Sequence, residues 1–148
     1  MIDDWTRVWY PDYVIVAAVT VDGLMVATRS YRQGPRAVEL GLPGGIVEPG
    51  EEPLAAAQRE LREETGYAAE SWTDLGGFCG DPNRGSGFGR YFLARGAYRV
   101  ADPDHGDLEE IAVELTPVAE LLAATRTGEV KSIQSAAGIA LAAAALTC

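Results

Sequence analysis

Between Leu42 and Tyr67 a proline-glycine-glycine turn, a run of strong helix formers and a closing glycine follow one another in LPGGIVEPGEEPLAAAQRELREETGY. Pro43-Gly44-Gly45 concentrates backbone freedom. Glu51, Glu52 and Pro53 open a helix over Leu54 to Thr65, and Gly66 ends it as a left-handed C-cap requires. Leu54, Leu61 and the alanines can face a core, which leaves the acids outside. Glu60 and Glu64 are four apart and Glu63 is three from Glu60, so one helical face carries three carboxylates. Such crowding costs a few tenths of a kcal/mol per pair unless a cation offsets it. Carboxylate oxygens so arranged suit Mg²⁺ or Mn²⁺ and suit zinc or copper poorly. Taken one at a time, these acids read as an ordinary solvated helix face.

The flanking chain predicts a sheet for this helix to pack on. Tyr13 to Val19 and Leu24 to Thr28 are β-branched runs joined through Asp22-Gly23, a strong hairpin signal. Ser30 to Pro35 reads as a loop and Ala37 to Leu42 as a strand. Strand-like pieces follow at Trp72 to Phe78 and Tyr91 to Ala94, separated by the glycine-rich loop GDPNRGSGFGR, long enough to be functional. Ile111 to Leu115 reads as a further strand, Pro117 to Ala124 and Ser132 to Leu146 as helices. Strands, helix, strands, helices, without regular βαβ alternation, predict an α/β (α+β) class with a mixed sheet covered by helices. A single domain over residues 1–148 is expected.

Composition removes several classes of function. Twelve basic against 22 acidic residues give a net charge of −10, with no basic stripe, which argues against a nucleic-acid partner. Cys79 and Cys148 lie far apart, so neither a disulfide scaffold nor a cysteine zinc site is available, and a cytoplasmic setting is the default. His105, the one histidine, lies in the polar run ADPDHGD and reads as a loop residue. MIDDWTRVWY has no leader-like apolar stretch. The alanine-rich run from Ile133 to Leu146 is too short to span a bilayer, so no membrane role is expected.

Gly45, Glu51, Arg59, Glu60, Glu63, Glu64 and Gly66 together fit G-x5-E-x7-R-E-U-x-E-E-x-G-U, where U is aliphatic. At roughly 6% usage per letter, seven fixed letters coincide by chance on the order of once in 10⁸ starts. The segment resembles the Nudix box; Leu61 fills the first aliphatic position and Tyr67 departs from the last. The resemblance covers about Tyr13 to Leu146 and implies the Nudix fold, an α/β/α sandwich with a mixed sheet and the box as loop-helix-loop. It also implies hydrolysis of a nucleoside diphosphate linked to another group, with Mg²⁺ or Mn²⁺ held on the box helix. Glu60 and Glu64 resemble the principal metal ligands, Glu63 a further ligand or a base for the attacking water, and Gly44 a ligand through its carbonyl. Glu51 and Arg59 resemble supports whose ion pair orients the catalytic glutamates.

Around the box, Ser30-Tyr31-Arg32, VELGLPGG, GRYFLARG, GEVKSIQSAAGIALAAA and a proline, Pro82, sixteen residues beyond Gly66 resemble the ADP-ribose pyrophosphatase subgroup. On that resemblance the substrate is ADP-ribose, giving AMP and ribose 5-phosphate, or a related nucleotide sugar. Arg32 is then a phosphate or ribose contact, with an exposed loop arginine as the plainer reading. Trp5, Trp9 and Tyr10 offer aromatic faces for adenine, and equally for packing or a dimer contact. Acids of GDLEEIAVE resemble those that supply a ligand or general base from a mobile loop, Glu109 first, then Asp107, then Glu110. A homodimer is expected by analogy, although the subgroup's longer N-terminal region is short here. Two alternatives stay open: a housecleaning nucleoside triphosphate hydrolase releasing pyrophosphate, and a non-catalytic nucleotide-sensing domain.

Overall fold

The computed structural model describes residues 8–104 and 110–148. Within them the strands are β1 (Tyr13–Thr20), β2 (Leu24–Arg32), β3 (Ala37–Gly41), β4 (Gly44–Ile46), β5 (Tyr67–Asp81), β6 (Ser86–Arg99) and β7 (Ile111–Pro117). The helices are α1 (Pro53–Thr65), α2 (Val118–Thr127) and α3 (Ile133–Leu146). The sheet runs β3-β2-β1-β6-β5, with β4 on β1 and β7 on β2. β1 and β6 are parallel and the other pairs antiparallel, which makes the sheet mixed.

β1 explains the layering. Its six central residues are all buried, because successive side chains point to opposite faces and both faces are covered. Val14, Val16 and Ala18 pack with Ala56, Ala57 and Leu61 of α1. Ile15, Ala17 and Val19 pack with Leu121 of α2 and Ile139 and Ala142 of α3. β6 repeats the split, Phe92 and Ala94 facing α1, Tyr91 and Leu93 facing the other layer. The expected α/β/α sandwich is therefore present. No helix among the described residues is long and apolar enough to cross a membrane.

α1 ends as predicted: Gly66 has φ 75° and its N–H donates to the Arg62 carbonyl at 2.8 Å. A Cβ there would also lie 2.2 Å from the Ala101 carbonyl oxygen, so glycine is required twice. Leu54 does not face the core; it is 40% exposed, while Ala56, Ala57 and Leu61 do the packing.

Three loop readings are corrected. Ser30 to Arg32 continue β2, since the ladders to β3 and, at Ser30, to β7 satisfy the backbone, and the turn is confined to residues 33–36. GDPNRGSGFGR is mostly strand: pairing of β5 with β6 overrides weak glycine propensity and leaves a turn at 82–85. Asp81 holds that turn by accepting from Asn83 N–H and Arg84 N–H at 3.0 and 3.1 Å. Gly44 and Gly45 are not a free turn either, because they pair with Ile15 and Val14 as β4. A Cβ on Gly44 would stand 2.2 Å from the Val14 carbonyl oxygen, so this close approach of backbones needs glycine.

Candidate active site

The glutamate helix and the glycine strand meet through Arg59. Its Nε and Nη2 donate to Glu51 Oε1 and Oε2 at 2.9 and 3.0 Å, a two-pronged pairing that only a guanidinium forms. Nη1 donates to Glu60 Oε1 at 2.7 Å and Glu63 Oε2 at 3.2 Å, and Nη2 also reaches the Ile46 carbonyl at 3.0 Å. Glu51 accepts from Glu48 N–H at 3.0 Å as well, so the segment before α1 is laced to the helix it leads into. The bond to Glu51 raises the Arg59 pKa, and the same bond lowers that of Glu51.

Glu60 occupies a pocket cut by a missing side chain. A Cβ on Gly45 would fall 2.3 Å from the Glu60 carboxyl carbon, so the carboxylate lies where any other residue would put its β-carbon. Burial in this cradle pushes the Glu60 pKa up, and Arg59 opposes that shift. Glu64 Oε2 accepts the Gly44 N–H at 2.9 Å, a second tie between helix and strand. Glu63 is half exposed. Asp104 N–H donates to the Glu63 carbonyl at 2.8 Å, bringing the chain after β6 back to this end of α1.

Gly44, Gly45 and Ile46 form one wall of a cleft of about 610 Å³. Its other walls come from the start of β1 with Tyr10 and Pro11, the end of β2 with Arg32, Glu39 of β3, and Ser132, Gln134 and Ser135 at the start of α3. Arg32 thus shares a cleft with the glycine strand. Pro82 is exposed in the 82–85 turn, and Gly80 and Gly87 line the cleft in its stead. Trp9 is 84% exposed and is not among the lining residues, whereas Tyr10 is. Glu110 is exposed; Trp5, His105, Asp107 and Glu109 lie outside the described residues.

Glu39 and Ser135 are residues that the sequence reading missed. Glu39 is an acid between Val38 and Leu40 on a strand, and that interruption was its one visible signal. Ser135 accepts the Leu42 N–H at 3.1 Å and is fixed by the start of α3, far away in sequence.

Among the described residues no three acidic, histidine or cysteine side chains converge as a ready-made cation cage. Arg59 stands between Glu51, Glu60 and Glu63, and Glu64 is turned to Gly44. The donors nonetheless fit a hard divalent cation in kind. They are oxygens on one rigid helix, and Glu60 is a largely desolvated carboxylate whose charge a nearby cation stabilises.

The ADP-ribose pyrophosphatase of Bacillus subtilis (strain 168) is 36% identical over 85 residues, 57% of this chain and 46% of that protein. The ADP-ribose pyrophosphatase of Mycobacterium tuberculosis (strain ATCC 25618 / H37Rv) is 32% identical over 130 residues, 85% of this chain and 62% of that protein. This chain therefore spans about half the length of the curated relatives it matches. A crystal structure of an ADP compounds hydrolase superposes with a TM-score of 0.81 at 24% identity, over 92% of this chain and 72% of that one, a likeness of fold. Residues 9–135 match the NUDIX domain, and with that match over most of its length the chain belongs to the Nudix family.

Proposed function

We propose that this chain is a divalent-metal-dependent pyrophosphohydrolase of a nucleoside diphosphate derivative, with ADP-ribose as first substrate and AMP and ribose 5-phosphate as products. The carrying observation is the joining of the glutamate helix to the cleft wall, with Glu60 in the Gly45 cradle and Glu64 on Gly44. The named activities of the two relatives support the substrate class.

Glu60, Glu64, Glu63 and the Gly44 carbonyl are the groups that would hold Mg²⁺ or Mn²⁺. When bound, such an ion neutralises phosphate charge and lowers the pKa of water. The protein's own part is placement. Arg59, clamped by Glu51, keeps Glu60 and Glu63 from swinging free, and α1 holds them better than a loop would. Glu63, half exposed, takes a proton from water as the water oxygen bonds to one phosphorus. The bridging P–O bond breaks and its electron pair leaves with the other phosphate. One water is consumed and two monophosphates are released. Arg32 supplies a permanent positive charge in the cleft for the diphosphate or ribose.

Product analysis with Mg²⁺ tests this reading. AMP and ribose 5-phosphate from ADP-ribose, lost in EDTA, restored by Mg²⁺ or Mn²⁺ and absent with Glu64→Gln, are the expected results. Untouched ADP-ribose beside pyrophosphate released from a nucleoside triphosphate would refute it, and turnover unchanged by Glu64→Gln would remove the metal site.

A further inference from the structure

Glu39 is an acid in the cleft that the glutamate helix does not explain. It is 4% exposed on β3, opposite Ser30 in the ladder, yet it lines the same cleft as Gly44 and Arg32. Oε2 accepts the Lys131 N–H at 3.2 Å, tying β3 to the segment that enters α3. Oε1 forms an ion pair with Arg32 Nε at 4.0 Å, beyond hydrogen-bond length, and no hydrogen bond to it is found among the described residues. Ser135 packs close by: a Cβ on Gly41 would stand 2.8 Å from Ser135 Oγ and 3.7 Å from Glu39 Oε1. Glu39 is therefore a buried carboxylate with acceptor capacity left over at the wall of a nucleotide-sized cleft.

An ionised carboxylate accepts hydrogen bonds and donates none. Sugar hydroxyls and exocyclic amines satisfy it; a phosphate oxygen is itself an acceptor and is repelled. Arg32, alongside, has the opposite preference.

We propose that Glu39 is a specificity-determining residue of this cleft, accepting hydrogen bonds from hydroxyls of the group joined to the diphosphate and turning away a terminal phosphate. This rests on the nucleoside diphosphate reading above and deepens it, since it tells a nucleotide sugar from a nucleoside triphosphate.

The test compares ADP-ribose with ATP in wild type, Glu39→Gln and Glu39→Asp, by kcat/KM with Mg²⁺ and by calorimetric binding in EDTA. Glutamine still accepts the Lys131 N–H, so Glu39→Gln is expected to melt within about 2 °C of wild type. Its preference for ADP-ribose over ATP should fall about tenfold or more, chiefly through KM for ADP-ribose and in the EDTA binding ratio. Glu39→Asp, which keeps the charge, should retain the preference. An unchanged ratio in Glu39→Gln, or a parallel fall for both ligands, overturns the proposal and leaves Glu39 a strut. Wild type that hydrolyses neither nucleotide refutes the proposed function, while the EDTA binding ratios still decide Glu39; wild type that binds neither overturns both.

Discussion

Replacing two adjacent glycines with alanine, one at a time, should separate the stability of the sheet from the integrity of the site. At Gly44 the new Cβ would stand 2.2 Å from the Val14 carbonyl oxygen and 3.0 Å from Ile15 Cδ1. An ordinary carbon–oxygen approach is about 3.3 Å, so backbone near the start of β1 must move by about 1 Å. Overpacking of that kind costs about 1–3 kcal/mol. At about 2–4 °C per kcal/mol for a chain near this size, Gly44→Ala should lower Tm by about 2–12 °C. At Gly45 the new Cβ would meet the carboxyl carbon of Glu60 at 2.3 Å, the far end of a side chain that can swing. Gly45 has no positive φ, so alanine is allowed there, and reduced freedom of the unfolded chain contributes about 0.4–1 kcal/mol of stability. Loss of the Arg59–Glu60 pair costs a similar amount, about 0.2–1 kcal/mol, so Tm should stay within about 3 °C of wild type. Displacing Glu60 by about 1 Å should nevertheless reduce kcat/KM about a hundredfold, or about 2.7 kcal/mol in the transition state. Thermal unfolding and ADP-ribose turnover with Mg²⁺ measure the two effects. Wild-type kcat/KM in Gly45→Ala, or a Tm loss there equal to that of Gly44→Ala, would refute the reasoning.

Arg59→Lys keeps the charge and removes the fork that holds Glu51 and Glu60. As a positioning change it should lower kcat about 10- to 100-fold with little change in KM, and full kcat would show that the fork orients nothing. Asp74 is held below its ordinary pKa first by the Gly76 N–H and then by Arg90. A carboxylate depressed in the folded state stabilises it above the unfolded pKa and loses that contribution as pH falls through the folded one. The urea midpoint of wild type should therefore fall below about pH 4 more steeply than that of Asp74→Asn, and equal slopes would count against the assignment.

Elements whose signal is local were legible in the sequence. α1 carries its own proline start and glycine stop, and the β1–β2 hairpin its Asp-Gly turn; both stand where the spacing put them. What escaped were strands made by pairing rather than propensity. Gly80, Gly87 and Gly89 lie in β5 and β6, where the residue types suggest turns but a ladder of partners from Tyr67–Arg99 to Asp81–Ser86 supplies the hydrogen bonds. β4 is the clearest instance. Gly44 and Gly45 read as slack chain, yet they are glycine because β1 and Glu60 come too close for a Cβ.

The site divides along the same line. Glu51, Arg59, Glu60, Glu63 and Glu64 were legible as a set because one helix and the segment before it fix their spacing, and the Arg59 contacts tie Glu51, Glu60 and Glu63 into one network. The cleft proposed to receive the rest of a substrate is assembled from β1 to β6 and α3, and no interval in the sequence encodes which of their residues meet. Arg32 is reached only through a family resemblance, and no spacing in AVELG marks Glu39 as a cleft residue. Only the packed structure shows that Glu39 is 4% exposed. On the proposed function, the bond-breaking chemistry is carried by contiguous chain and the choice of substrate by a wall of distant residues, so substitutions in that wall should alter selectivity while the glutamate helix stays intact.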